Sequence, residues 1–251
     1  FGKMGKQRSP NRKRGSQMKI CIINQKGGSG KTTFAILACL SLASKNKKVL
    51  AVDCDPQAGL TNYLSRSEDI RLGLFDIILG SKEYNIINVV RDSISFDFIP
   101  ADHRLDKIYA TLDPFTFNTL FDELNYDYIV FDTPPTVQGI SRAAAMASDK
   151  IFVPADISRG TILPTLYTLE SLKQIKKKGK VVFVGYKEPK EESKSFIADI
   201  SREFMDRIKG SYAGTIPKNI TMQKLISDHT LKWSDKKKDL LIPILEILVE
   251  E

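Results

Sequence analysis

The chain has 251 residues, 42% of them apolar, enough for one α/β domain with a sizeable core and ordinary for a soluble one. No apolar run approaches the roughly 18 residues of a membrane span, and the polar, basic start does not read as a secretory signal. The net charge of +8 suggests an anionic partner, but six of the eight excess charges (Lys3, Lys6, Arg8, Arg12, Lys13 and Arg14) lie in residues 1–17, which hold no acid, so the body is only mildly basic.

Residues 1–17 read as a flexible basic tail, with Met4 and Met18 both candidate starts, and residues 18–251 as one domain. From residue 18 onward strand and helix patterns alternate, which predicts a layered α/β fold: a mostly parallel sheet in three layers, with helices on both faces. Strands are predicted at Ile20–Ile23, Lys48–Asp53, Phe96–Pro100, Tyr128–Asp132, Lys150–Val153, Lys180–Gly185 and Ala213–Ile216. Helices are predicted at Phe34–Ala43, Gln57–Leu64, Gly73–Leu79, Gly139–Ser148, Ser193–Ile208, Ile220–Ser227 and Lys237–Val249. Leu105–Leu124 reads as mainly helical with a break at Asp113–Pro114, and Ile162–Lys177 as a helix with Pro164 in its first turn. The three cysteines, Cys21, Cys39 and Cys54, sit in apolar patterns without CxxC spacing and read as small buried residues. His103 and His229 match no metal motif.

The chemistry centres on Gln25 to Thr33, QKGGSGKTT, between the first strand and the first helix. A glycine-rich loop there turns its N–H groups inward, and the helix N-terminus adds partial positive charge, so the loop is built for phosphates. Gly27, Gly28, Ser29 and Gly30 supply the close backbone approach, Lys31 a point charge for the β- and γ-phosphates, and Thr32, followed by Thr33, a hydroxyl for Mg²⁺. Such a site also needs carboxylates for the metal and the attacking water. Two strand ends offer them, Asp53-Cys54-Asp55-Pro56-Gln57 and Phe131-Asp132-Thr133-Pro134-Pro135. Ligands gather at the carboxyl ends of strands in open α/β sheets.

The common P-loop carries glycine where this chain has Gln25, and here an early lysine, Lys26, precedes KGGSGKT. This resembles the deviant Walker A motif of the ParA/MinD superfamily. DCDPQAGLT resembles the ParA family's DxDPQ segment, with Ala58-Gly59 in place of Gly-Asn. FDTPPTV resembles its Walker B and switch II run, and Thr215-Ile216-Pro217-Lys218-Asn219 its adenine-pocket segment. The matching motifs run from about Met18 to about Asn219. The resemblance implies an ATPase using ATP and Mg²⁺, with Lys26, Lys31 and Asp55 catalytic and Lys26 reaching the nucleotide of a second subunit. Residues 26 to 33, Pro217 and Asn219 would bind nucleotide. Thr32 and Asp132 would hold the metal, with Asp53 in its shell or shaping the loop.

It further implies an ATP-bound homodimer that binds DNA without sequence preference and is released by slow hydrolysis. A centromere-binding ParB-like protein would stimulate that hydrolysis, in a cytoplasmic, nucleoid-associated partition system for a plasmid or chromosome. Candidate DNA contacts are Lys218, Lys224, Lys236, Lys237 and Lys238, with Lys173, Lys176, Lys177, Lys178 and Lys180 as a second cluster. The alternatives are a related ATPase that positions a protein cargo, a metabolic ligase or amidotransferase on the same fold, and a MinD-like membrane-cycling ATPase. The last needs a basic amphipathic C-terminal helix. This chain ends LLIPILEILVEE, without a basic residue after Lys238, so no stable membrane association is expected.

Overall fold

The computed structural model describes residues 17–65, 72–91, 93–109, 111–186, 194–208, 210–219 and 239–249. The predicted helix Ile220–Ser227, His229, Lys224, Lys236 to Lys238 and residues 1–16 lie outside the described residues. Within them the strands are β1 Met18–Ile22, β2 Val49–Asp53, β3 Ile87–Arg91, β4 Ile94–Ile99, β5 Tyr128–Asp132, β6 Lys150–Ala155, β7 Lys180–Tyr186 and β8 Tyr212–Pro217. The helices are α1 Lys31–Ala43, α2 Gly59–Leu64, α3 Leu74–Ile78, α4 Thr116–Thr119, α5 Gly139–Ala147, α6 Arg159–Gln174, α7 Lys194–Arg207 and α8 Ile242–Val249.

The strands form one sheet in the order β3-β4-β2-β5-β1-β6-β7-β8. All neighbours pair in parallel except β3, which runs antiparallel to β4. Successive side chains of a strand point to opposite faces, so β1 splits its apolar residues between two cores. Ile20 and Ile22 pack with α1, α2 and α8 on one face. Cys21 and Ile23 pack with α3, α5, α6 and α7 on the other. On that second face Phe117, Phe121 and Phe131 meet with ring centroids 5.4 to 5.6 Å apart. Truncating any one to alanine would cost about 3–5 kcal/mol. The expected mostly parallel sheet with helices on both faces is therefore what forms.

Three local expectations change. Leu105–Leu124 is not mainly helical: a 3₁₀ turn at His103–Lys107 and the short α4 are joined by turns. Asp102 accepts from the Arg104 N–H at 2.8 Å, and Asp113 accepts from the Phe115 N–H at 2.9 Å, so aspartate side chains close turns where helix was expected. Pro164 lies inside α6, which starts at Arg159, because Ser158 rather than a later residue is the N-cap. The edge strand β3 was not predicted. Its sequence INVVR is short and its exposed Val90 breaks a clean inward-apolar pattern.

Candidate functional site: a phosphate loop and three aspartates

The parallel order places the carboxyl ends of β1, β2 and β5 side by side, with β5 between the other two. Ile22 pairs with Asp132 across β1 and β5, and Asp53 pairs with Asp132 across β2 and β5. The loop from Asn24 to Gly30 leaves β1 at this end and delivers the chain into α1.

Asn24 fixes the loop's entry. It is fully buried; its Nδ2 donates to the Pro154 carbonyl at 2.7 Å and to Thr165 Oγ1 at 3.1 Å, and its Oδ1 accepts from the Lys26 N–H at 3.1 Å. The Gln25 N–H donates to Thr168 Oγ1 at 3.1 Å. The loop is thereby tied to α6. Its exit is fixed by Gly30, at φ 90°, where an added Cβ would stand 3.0 Å from Val184 Cγ1. At Gly27 and Gly28, both exposed, an added Cβ would meet nothing within 4 Å, so the space beside the loop's glycines is open.

That space is electropositive. No side chain caps α1 and no acid lies in its first turn, which leaves the N–H groups and dipole of its N-terminus to an anion. Ser29 is buried and its Oγ has no partner among the described residues. Lys31 is buried and donates from Nζ to the Lys26 carbonyl at 3.2 Å. Burial lowers its pKa, while the charges of Asp132 and Asp55 oppose that fall. A phosphate ester in the loop would supply the acceptors that Ser29 lacks.

The three aspartates differ in what holds them. Asp53, fully buried, accepts from the Thr61 N–H at 2.8 Å and the Thr61 hydroxyl at 2.7 Å on Oδ2, and from the Asp55 N–H at 3.0 Å on Oδ1. Its pKa is pushed up to about 6 by burial, against these hydrogen bonds. Asp55 is partly exposed, and its Oδ1 accepts from the Gln57 N–H at 2.9 Å. Asp132 is 1% exposed, and its Oδ1 has no partner among the described residues. Burial first, then the Asp53 charge, pushes its pKa up to about 8, while a hydrogen bond with the Thr32 side chain and the charge of Lys31 work the other way.

A buried carboxylate oxygen without a donor, beside a hydroxyl and a lysine, is the arrangement a hard cation completes. Thr32 and Asp132 fit Mg²⁺ on that count. Asp53 already spends both oxygens on backbone and hydroxyl donors, so the geometry assigns it chiefly to shaping the loop.

The remaining expected residues fall on two ends of the sheet. Val184 of β7, against Gly30, pairs with Ile216 of β8. Pro217, Lys218 and Asn219 follow at this same end, with Pro217 and Lys218 exposed. The cluster Lys173 to Lys180 lies at the amino end of β7, away from the loop. There Lys177 donates to the Ser148 carbonyl at 2.6 Å, and Lys173, Lys176 and Lys178 are exposed. Lys26 is half-buried, its backbone clamped between Asn24 and Lys31.

Two residues escaped the sequence reading, Asn24 and Thr61. A signal existed for each: Asn24 is a polar residue ending an apolar strand directly before the loop, and Thr61 is a polar residue on the buried side of α2.

Residues 17–182 match a sequence family described as an AAA domain. The chain is 28% identical over 229 residues to the chromosome partitioning protein ParA of Caulobacter vibrioides, covering 82% of each chain. It is 32% identical over 170 residues to the sporulation initiation inhibitor protein Soj of Bacillus subtilis, covering 62% of each, so less than two thirds of that relative's length is matched. Among solved structures, a Borrelia burgdorferi chain described as a plasmid partition protein, bound to AMPPNP, superposes with a TM-score of 0.73 at 24% identity, covering 94% of this chain and 99% of that one. With the family match spanning most of the sequence and the phosphate loop, Lys26 and the strand-end aspartates in place, the chain belongs to this AAA-domain family and, within it, to the ParA-type P-loop ATPases.

Proposed function

We propose that this chain is a Mg²⁺-ATP-dependent partition ATPase: two copies close over ATP, bind DNA through its phosphates, and let go after hydrolysis. The observation that carries the catalytic part is Asp132 Oδ1, buried and donorless beside Thr32 and Lys31 at the mouth of an open phosphate loop. Thr32 and Asp132 would hold Mg²⁺, which when bound supplies positive charge to the phosphate oxygens. Lys31 and the N–H groups at the start of α1 bind the β- and γ-phosphates. Asp55, held by its N–H on Asp53, orients a water whose oxygen attacks the γ-phosphorus as the bond to the ADP oxygen breaks. Lys26 from the second copy adds charge where it grows in the transition state.

The DNA and cargo reading is supported by the partition relatives. Lys218, exposed at the nucleotide end of the sheet, is the described lysine best placed to couple DNA to the nucleotide state. Nucleoid association and stimulation by a ParB-like partner belong to the same proposal. Against a membrane-cycling reading, α8 buries Ile244, Ile247 and Leu248 in the core beside α1, so its apolar face is already used. No described helix is long and apolar enough to cross a membrane.

A DNA mobility assay with ATP, with ADP and without nucleotide tests the proposal. Retention that requires ATP and falls steeply with salt is expected. Retention indifferent to nucleotide would remove the partition reading and leave an ATPase with another cargo.

A further inference from the structure

We propose that Thr61 is a positioning residue for hydrolysis: its hydroxyl locks the buried Asp53, and through it the backbone of Asp55, to the turn that follows β4. The inference rests on the ATPase reading above. Thr61 is fully buried on α2, and its N–H and hydroxyl make three hydrogen bonds to two partners. Its N–H and its hydroxyl both donate to Asp53 Oδ2, at 2.8 and 2.7 Å. The same hydroxyl oxygen accepts from the Ala101 N–H at 2.9 Å. Asp53 then uses its other oxygen to accept from the Asp55 N–H at 3.0 Å. The path from Ala101 to Asp55 is therefore a continuous chain of hydrogen bonds with one side-chain hydroxyl at its centre.

The Ala101 end of that chain is clamped, and its Asp55 end lies beside the start of α1. Next to Ala101, the Pro100 carbonyl accepts from the Leu74 N–H at 2.9 Å at the start of α3, and an added Cβ at Gly73 would stand 2.4 Å from that carbonyl. Three residues beyond Ala101, Arg104 bonds Asp102 at 2.8 Å and, with two nitrogens, Asp76 of α3 at 2.7 and 3.0 Å. At the other end, a Cβ at Gly59, which opens α2, would stand 3.6 Å from Thr32 Oγ1. The Thr61 hydroxyl thus joins a clamped turn to the loop that carries Asp55 and to the helix lying against Thr32.

A packing role would need only the threonine's shape, whereas a positioning role needs its hydroxyl. Thr61→Val keeps the shape and removes the hydroxyl; Thr61→Ser keeps the hydroxyl and removes the methyl. Steady-state ATP hydrolysis and ATP binding are measured for the unsubstituted protein and both variants, with Lys31→Ala as the inactive control. A small misplacement of a reacting group costs up to about 100-fold. The expected result is a kcat loss of about tenfold or more in Thr61→Val, little change in KM, and kcat close to the parent in Thr61→Ser. If Thr61→Val does not fold, Thr61→Cys, a poor donor of similar size, takes its place in the same assay. Equal kcat in the hydroxyl-free variant overturns the proposal. So does an equal loss in Thr61→Ser. If the unsubstituted protein hydrolyses ATP no faster than Lys31→Ala, the ATPase reading itself fails, an outcome distinct from either.

Discussion

Replacing Asp132 with asparagine should stabilise the nucleotide-free protein while abolishing its chemistry. Asp132 is 1% exposed and one carboxylate oxygen has no donor among the described residues. Burial and the charge of Asp53 push its pKa from 3.8 up to about 8. A carboxyl group whose folded pKa is raised binds more protons folded than unfolded, so it favours the fold fully below about pH 4. That contribution is lost as pH rises through the folded value. Each pKa unit is worth about 1.4 kcal/mol. Relaxation of the site around the charge reduces the total, so the expected gain for Asp132→Asn at pH 8 is on the order of 2 kcal/mol. In a chain of this size that raises Tm by about 4–8 °C. Thermal unfolding in EDTA at pH 5 and pH 8, compared between parent and variant, reads the effect. The gain should be larger at pH 8, and Mg²⁺-dependent hydrolysis should be lost. A variant that is less stable than the parent at pH 8, or a difference independent of pH, would refute the reasoning.

Two further outcomes are expected. Gly30→Ala places a Cβ 3.0 Å from Val184 in a backbone at φ 90°; a fluorescent ATP analogue should bind at least about tenfold more weakly, equivalent to about 1.4 kcal/mol, the lower end of the cost of such strain. Ala58, where the family has glycine, sits at φ 54° and ψ 40°. Ala58→Gly should therefore gain about 1 kcal/mol, read as a Tm increase of about 2–4 °C with hydrolysis retained.

The nucleotide half of the site was legible because its chemistry is local in sequence. Gln25 to Thr33 is one loop running into a helix, and Asp53 and Asp132 each close an apolar run, with Asp55 two residues beyond the first, so a buried strand and an acid at its end could be read together. The parallel order of the sheet then does what the sequence could not state, setting Asp53 against Asp132 across β2 and β5. Asn24 and Thr61 stood out only as polar residues in apolar surroundings, and their roles were hidden for the opposite reason. Their partners Pro154, Thr165 and Ala101 lie far along the chain, and a buried asparagine or threonine carries no spacing signature. The segment from Leu105 to Leu124 misled because its apolar residues have helical spacing while the Asp113 side chain closes a turn within it. Edge strand β3 was missed because one face of it is exposed and weakly apolar.

Charge patterning said little about where in the fold a lysine would lie. Lys177 looked like part of a basic patch, yet it donates to the Ser148 carbonyl, and its cluster lies at the end of the sheet away from the nucleotide loop. Lys218, a single residue, lies at the same end of the sheet as the phosphate loop.

In the proposed dimer, Lys26 of each copy completes the phosphate site of the other. Light scattering of the protein with Mg²⁺ and a non-hydrolysable ATP analogue, beside Lys26→Ala under the same conditions, tests it most directly. A doubled mass is expected with the analogue, a single-chain mass without it, and no doubling for Lys26→Ala despite retained nucleotide binding. A single-chain mass with the analogue bound, or unimpaired pairing of Lys26→Ala, would contradict it.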